Sequence, residues 1–342
     1  MKARKVRQST LRMVSQHVDI EDLYITQTIE QSDASLDEII KKRYPLVLCG
    51  GGDGTVMRII EQMRLKVNRL NEAGGDYTVP RFGILKLGTG NGWAWQLGVP
   101  PKVEPIWRLR QLRDEDMRFA KFNMMEAEER MFHFGGMGVD ALVLNDYINL
   151  KNKFTKGFLW KMSNSLIGYL WAIAFSSVPT VLFKKFHIDM KVTNLSSEPV
   201  YRISHSEGVR ELPAKPGDVI YEGSSLIAGF GTTENYGYGL KVYPFSMAKP
   251  GYFNFRVADV TATTVLSHIK TVWNGTWEEP GLNDFLVKHI LIETQSDAPF
   301  QLGGDPEGYR RQVEVKLSDF MPEMLDLNAS LAAMNEREGG AS

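Results

Sequence analysis

The stretch PLVLCGGGDGTVMRIIEQMRL, residues 45–65, decides the fold of the first part of this chain. Its opening run, Pro45 to Cys49, is short, unbroken and apolar, which is typical of a strand buried on both faces of a parallel sheet. Three glycines follow, and apolar residues then recur at helical spacing from Val56 to Met63. The pattern predicts a strand, a glycine loop and a helix. Upstream, Ser35-Leu-Asp-Glu38 has the form of a capping box, so a helix is expected to begin there.

A second unit of the same kind starts at RFGILKL, residues 81–87, and runs into the loop Gly88-Thr-Gly-Asn-Gly92. Two successive strand–loop–helix units predict a parallel α/β sheet with helices on its faces. Because parallel strands end at the same edge of a sheet, the two glycine loops are expected to form a crevice of the kind that binds nucleotides.

The first loop, Gly50 to Thr55, has the chemistry that a phosphate group requires. Glycines let the backbone approach an anion, and the start of the next helix offers unpaired N–H groups and a positive dipole end. Asp53 adds a carboxylate for a nucleotide's magnesium ion or ribose hydroxyl, and Thr55 can bond phosphate or cap the helix. The alternative is a tight turn in which Asp53 or Thr55 serves only as an N-cap. The second loop favours the nucleotide interpretation.

Length and composition limit the class of protein. A chain of 342 residues favours about two domains, and its 40 Lys and Arg nearly balance its 41 Asp and Glu, so no global field indicates nucleic acid as a partner. The single cysteine, Cys49, cannot form an internal disulfide, and the basic N-terminal residues lack the apolar region of a signal peptide. A cytoplasmic location is expected.

From Phe119 onward, strand-like segments bounded by Gly, Pro and Asn predict an antiparallel β domain. The predicted domains are an α/β domain over residues 1–118, to which residues 318–342 return, and a β-sandwich over 119–317. Residues 157–183 interrupt the second domain with an apolar helical segment that is too short to span a bilayer. We predict a core helix, with a membrane-touching face as the alternative. The side chains of that alternative are Phe158, Leu159, Trp160, Tyr169, Trp171 and Phe175.

Two motifs make the chain similar to a known family. Gly51-Gly-Asp-Gly-Thr55 and the segment Gly83–Asn91 resemble the GGDGT and P-x-GTxND motifs of the diacylglycerol kinase catalytic domain family, which includes sphingosine, ceramide and bacterial lipid kinases. Four further segments resemble the family's T-x-E-x-G-x-A, G-x-D-A, P-x-A-x-x-D-G and Q-x-D-G-E-x-x-G motifs. They are Thr28–Ala34, Gly138–Ala141, Tyr243–Gly251 and Phe300–Gly308. The resemblance covers about Asp22 to Leu317.

The resemblance implies an N-terminal domain like those of NAD and diacylglycerol kinases, a C-terminal β-sandwich, and ATP bound with Mg²⁺ between them. It also implies transfer of the γ-phosphate to a lipid hydroxyl, such as that of diacylglycerol or a sphingoid base. Asp305 is the candidate general base, with Glu307 second, and Asp53 is the candidate metal ligand. The implied nucleotide-binding residues are Thr28, Gly51, Gly52, Asp53, Gly54, Thr55, Val56, Thr89 and Asn91.

Three departures from the family pattern keep other functions open. Gly92 replaces an acid of the second loop, Pro250-Gly251 replaces a D-G pair, and Gly303-Gly304-Asp305 replaces D-G-E. One alternative is a nucleotide-binding protein without transferase activity, and another is a kinase of a soluble small molecule. Peripheral membrane contact is expected for a lipid acceptor, and a homodimer is left open.

Overall fold

The computed structural model describes residues 8–87, 91–100, 104–142, 144, 186–237 and 239–339. Thr89 and the apolar segment 157–183, with its proposed membrane-touching side chains, lie outside these residues. The chain divides into two compact units, one made of Met1–Phe122 with Met321–Ser342 and the other of Asn123–Phe320. The first unit is therefore discontinuous in sequence, while the second is one continuous segment.

The helices and strands of the described residues are numbered in chain order. The helices are α1 (Gln8–Val14), α2 (Ile29–Lys41), α3 (Asp53–Glu72), α4 (Gly92–Gln96), α5 (Glu104–Leu109), α6 (Ala262–Ser267), α7 (Ile269–Asn274) and α8 (Leu327–Gly339). The strands are β1 (Leu46–Gly51), β2 (Arg81–Lys86), β3 (Phe119–Lys121), β4 (Met125–Ala127), β5 (Arg130–Phe132), β6 (Phe134–Gly138), β7 (Ile188–Asn194), β8 (Val200–Ser204), β9 (Gly208–Leu212), β10 (Val219–Ser225), β11 (Ile227–Gly231), β12 (Asn235–Gly237), β13 (Leu240–Lys241), β14 (Phe253–Ala258), β15 (Leu282–Val287), β16 (His289–Leu302), β17 (Asp305–Leu317) and β18 (Glu323–Leu325).

The described strands of the first unit form a sheet in the order β1-β2-β18-β3. β1 and β2 are parallel over their full lengths, from Leu46 opposite Arg81 to Gly51 opposite Lys86. β18 runs parallel to β2 and antiparallel to β3. Phe119–Lys121, which the sequence analysis placed in the second domain, is thus a strand of the first sheet, because its hydrogen-bonding partner comes from the C-terminal segment.

The start of α2 differs from the sequence-based prediction. The N-cap is Thr28, whose Oγ1 accepts a hydrogen bond from the N–H of Gln31 at 3.2 Å. Ser35 lies inside the helix, and its hydroxyl donates to the carbonyl of Gln31 at 2.9 Å. The capping box predicted at Ser35 was wrong, because an equally suitable hydroxyl seven residues earlier begins the helix.

The described strands of the second unit form a large antiparallel sheet in the order β5-β4-β17-β16-β6-β11-β14-β15-β8-β9, with β7 pairing to both β10 and β16. β16 changes partner along its length, since residues 290–294 pair with β7 and residues 300–302 pair with β6. Side chains from both parts of the sheet pack into one apolar cluster. The predicted succession of a parallel α/β domain and an antiparallel β domain is confirmed. The domain boundaries given above stay a prediction apart from the placement of β3.

β16 and β17 form a long hairpin whose turn contains Gly303 and Gly304. Both glycines have positive φ, at 57° and 83°, which favours glycine over residues with a Cβ. The N–H of Gly303 donates to the carbonyl of Phe134 on β6 at 2.8 Å. The turn is therefore held against its neighbour, and Asp305 follows it at a fixed position. No helix in the described part of the chain combines the length and apolar character needed to cross a bilayer.

Candidate functional site

The first glycine loop lies where β1 gives way to α3. β1 extends to Gly51, and Gly52 is the N-cap of α3, with its carbonyl accepting from the N–H groups of Thr55 and Val56 at 2.9 and 3.1 Å. A Cβ on Gly51 would stand 2.8 Å from the Cβ of Thr55, so this position has no room for a larger residue. Because glycine has no side chain with which to cap α3, the N–H groups of Asp53 and Gly54, which precede those bonded to the Gly52 carbonyl, receive no side-chain acceptor from the N-cap.

Asp53 connects the two glycine loops. Its Oδ2 accepts a hydrogen bond from the N–H of Gly92 at 2.9 Å, and its Oδ1 accepts one from the N–H of Trp93 at 3.2 Å. Asp53 is the first residue of α3 and supplies the missing cap of α4, because the N-cap of α4, Asn91, makes no side-chain cap bond. Its carboxylate joins the carboxyl ends of β1 and β2, which is the arrangement expected of a nucleotide crevice.

The other predicted nucleotide-binding residues of the first unit differ in which of their groups a ligand could contact. Asn91 is buried and adopts a left-handed conformation, with φ of 52°. The side chain of Val56 is buried in the core, so only its backbone can contact a ligand. The hydroxyl of Thr28 already accepts the N–H of Gln31. Their assignment to nucleotide stays a prediction, as does that of Gly51, Gly52, Gly54 and Thr55.

The two candidate bases of the second unit have different surroundings. Asp305 is half-buried at the start of β17, and burial raises the pKa of its carboxyl. Glu307 forms an ion pair with Arg130 of β5. A carboxylate with a raised pKa accepts a proton more readily, and Glu307 is already engaged by a guanidinium, so the electrostatic surroundings favour Asp305 over Glu307.

A third carboxylate, Asp140, was missed as a site residue by the sequence analysis. Its Oδ2 accepts a hydrogen bond from Nε2 of Gln301 at 3.1 Å, and Oε1 of Gln301 accepts the N–H of Gly304 at 3.0 Å. Nε2 of Gln301 also lies 3.1 Å from the hydroxyl of Tyr236. Gln301 therefore links Asp140 to the turn that precedes Asp305. The matching segment Gly138–Ala141 was the available signal, but a motif match alone does not show what a side chain contacts.

Asp140 is also electrostatically unusual. Burial raises the pKa of its carboxyl to about 6, and the hydrogen bond from Gln301 offsets this only in part. Its Oδ1 is buried and has no hydrogen-bond partner among the described residues. Perturbed carboxyl groups of this kind are frequent at functional sites, although structural networks produce them as well.

Comparison with known proteins finds a family model that matches the N-terminal part of the chain. The model of the diacylglycerol kinase catalytic domain matches residues 2–124. Over these residues the chain is similar to the diacylglycerol kinase catalytic domain family. The match spans α2, both glycine loops and the Asp53 contact, and the family recognised from the sequence motifs is confirmed.

Similarity to individual kinases extends beyond this domain. The protein named lipid kinase YegS from Escherichia coli strain K12 is 21% identical over 296 residues, covering 86% of this chain and 83% of YegS. A solved diacylglycerol kinase from Bacillus anthracis strain Sterne superposes with a TM-score of 0.53 at 16% identity, covering 88% of this chain and 82% of that one. The structural similarity shows that the chain has the fold of a diacylglycerol kinase.

The first unit offers limited means to hold a magnesium ion. The described residues contain no group of three or more His, Cys, Asp or Glu side chains placed to bind a metal ion. Magnesium is usually bound through one or two carboxylates together with substrate phosphates and water. Each oxygen of Asp53 accepts one hydrogen bond and keeps a further lone pair, so Asp53 fits such a shared site but cannot form one alone.

Proposed function

We propose that this chain is an ATP-dependent lipid kinase that transfers the γ-phosphate to the hydroxyl of a diacylglycerol-type or sphingoid-type lipid. The observation that carries the proposal is the connection of two glycine loops through Asp53, at the carboxyl ends of β1 and β2. The family whose model matches residues 2–124 and the name of the Escherichia coli relative support kinase activity with a lipid acceptor.

The ATP phosphates would lie at the start of α3. The N–H groups there and the positive end of the helix dipole favour an anion. Because Gly51 has no side chain, the anion can approach the backbone closely. As the resemblance implies, Gly51 to Val56 and Thr89 would hold the phosphates, and Thr28 and Asn91 would be supporting contacts. Asp53 would share Mg²⁺ with the phosphates. When bound, the ion would neutralise charge that develops on the phosphoryl oxygens.

In the proposed chemical step Asp305 is the general base. As the lipid hydroxyl oxygen forms a bond to the γ-phosphorus, the bond from that phosphorus to the bridging oxygen breaks and ADP leaves. The hydroxyl proton passes to the carboxylate of Asp305, which burial makes a stronger base than an exposed aspartate. Asp140 and Gln301 would fix the turn that precedes this base through the N–H of Gly304.

One observation favours a second candidate, a nucleotide-binding protein without transferase activity. Glu307 is paired with Arg130, which leaves Asp305 as the carboxylate of this turn that is not held in an ion pair in the described structure. If Asp305 only stabilises the turn, this turn would supply no general base. Cytoplasmic location, peripheral membrane contact and dimer formation stay predictions from the sequence.

The test is a transfer assay with radiolabelled ATP and a panel of acceptors. We expect labelled product with diacylglycerol, a sphingoid base or ceramide presented in mixed micelles. Label only in soluble polyols would contradict the lipid acceptor. Binding of Mg-ATP without any labelled product would favour the non-transferase candidate.

Replacement of Asp53 tests the nucleotide site separately. Asp53→Ala removes the acceptor for the N–H groups of Gly92 and Trp93, so we expect Mg-ATP affinity measured by calorimetry to fall at least tenfold. Asp76→Ala, which removes an exposed aspartate of the same unit, is the matched control and should change nothing. Equal affinity of the Asp53→Ala variant and the parent would rule out the role given to this residue.

A further inference from the structure

Lys86 lies at the carboxyl end of β2, beside the first glycine loop. In the parallel register of the two strands, Lys86 is the direct partner of Gly51, one strand spacing of about 4.8 Å away. The residues before it, Phe82 to Leu85, are buried in the sheet, whereas Lys86 is only half-buried. A cationic side chain thus begins at the edge of the sheet where the glycine loop and the start of α3 also lie.

The ammonium group of Lys86 is held by an aromatic ring instead of a carboxylate. Its Nζ lies 3.5 Å from the ring centroid of Trp95 on α4, and among the described residues it forms no ion pair with a carboxylate. Partial burial lowers the pKa of this ammonium. A ring attracts a cation through its quadrupole but leaves the N–H donors on the far side free to bind an anion.

The charge of a nucleotide makes this arrangement significant. A triphosphate carries several negative charges, and in phosphate-binding loops a lysine commonly reaches the β- and γ-phosphates. The nearby carboxylate of Asp53 already accepts two backbone N–H groups and, as the structure shows, does not pair with Lys86. A cation that has no acidic partner and lies beside a glycine loop is expected to contribute to anion binding.

We propose that Lys86 binds the polyphosphate of the nucleotide, with Trp95 positioning its ammonium group. This inference rests on the proposed function and assigns a residue within the same site. It identifies the polyphosphate as the part of the ligand that Lys86 contacts, so the residue should distinguish ATP and ADP from adenosine.

The test compares Lys86→Met with Lys86→Arg in calorimetric binding of ATP, ADP and adenosine, each with and without Mg²⁺. Methionine keeps an unbranched chain but removes the charge, so ATP affinity should fall about tenfold to a hundredfold, the range for a hydrogen bond to a charged group. Adenosine affinity should change less than twofold. Arginine keeps the charge and should restore most of the ATP affinity.

Lys42→Met is the matched control. Lys42 also lies over aromatic rings, those of Tyr24 and Tyr44, but it precedes β1 and so stands at the opposite end of that strand from Gly51. We expect unchanged ATP affinity in this variant. Circular dichroism confirms that each variant is folded before binding is measured.

The outcomes separate this inference from the proposed function. If the parent protein binds neither ATP nor ADP, the proposed nucleotide site fails. If the parent binds ATP and Lys86→Met binds it equally well, only the role of Lys86 is overturned. An equal loss of ATP and adenosine affinity in a folded Lys86→Met variant would also overturn it, since such a loss reports a general disturbance of the site.

Discussion

Replacement of Asp140 by Asn should remove a large part of the pH dependence of stability. The pKa of this carboxyl rises from an ordinary value of 3.8 to about 6 in the folded protein, because burial disfavours the charged form. Between these two pH values the folded chain holds a proton that the unfolded chain has released, so the free energy of unfolding falls as pH rises. A difference of about two pKa units corresponds to about 3 kcal/mol.

The sign of this effect follows from the linkage. The stabilisation is present below pH 3.8, is lost as pH rises through about 6, and stays lost at higher pH. Asn cannot ionise, and its amide oxygen can still accept the hydrogen bond from Gln301. The absolute stability of the variant depends on how well the new amide N–H₂ group finds acceptors, but its slope against pH does not.

Urea unfolding of the parent and of Asp140→Asn at half-unit steps from pH 4 to pH 8 measures this difference. The variant should gain about 2 kcal/mol relative to the parent across the series, with most of the gain between pH 4 and pH 6, since the rest of the change lies below pH 4. Asp189→Asn, at an exposed position of β7, is the control for loss of one carboxylate and should run parallel to the parent. Parallel curves for Asp140→Asn and the parent would refute a raised pKa at this site.

Two further predictions concern the second unit. Asp305→Asn should lower turnover at least a hundredfold with unchanged ATP affinity, whereas Glu307→Gln should retain most of the parent's turnover, and steady-state kinetics measure both. Full activity of Asp305→Asn with unchanged folding would show that Asp305 is only a turn residue. Asp284→Ala should destabilise the protein by about 3–5 kcal/mol in urea unfolding, because it leaves the buried guanidinium of Arg256 without the two 2.8 Å bonds it makes to Asp284. The exposed pair of Asp297 is the control, since Asp297→Ala should cost no more than about 1 kcal/mol.

The sequence predicted the first unit well where local pattern and long-range packing agree. The apolar runs of β1 and β2 and the glycine loops after them were identified directly, because a buried parallel strand requires an unbroken apolar segment. The start of α2 was missed, since Thr28 and Ser35 both precede helical patterns and only the folded chain shows which hydroxyl accepts an N–H. Phe119–Lys121 was assigned to the wrong sheet because its strand partner is some 200 residues away in sequence.

The contacts of the candidate site could not be predicted to the same extent. Asp53 was expected as a ligand of metal or ribose or as a cap of its own helix, yet its oxygens accept N–H groups from the start of α4. Asp140 and Gln301 were each inside matched motifs, but 161 positions separate them in the chain. Pairings of this kind depend on sheet register, and the periodicity of a single sequence does not specify which strands lie side by side.

The discontinuity of the first unit has a consequence for how the protein is made. β18 lies between β2 and β3, and it comes from residues 323–325, after the whole of the second unit. During synthesis β1 and β2 can pair with each other, but β18 can join β2 to β3 only after about 200 further residues have left the ribosome. The continuous second unit can fold as soon as it emerges. A ribosome stalled before residue 323 would thus display the second unit together with a first unit whose sheet is incomplete, and the unpaired strand edges of that sheet are a template for wrong strand pairing.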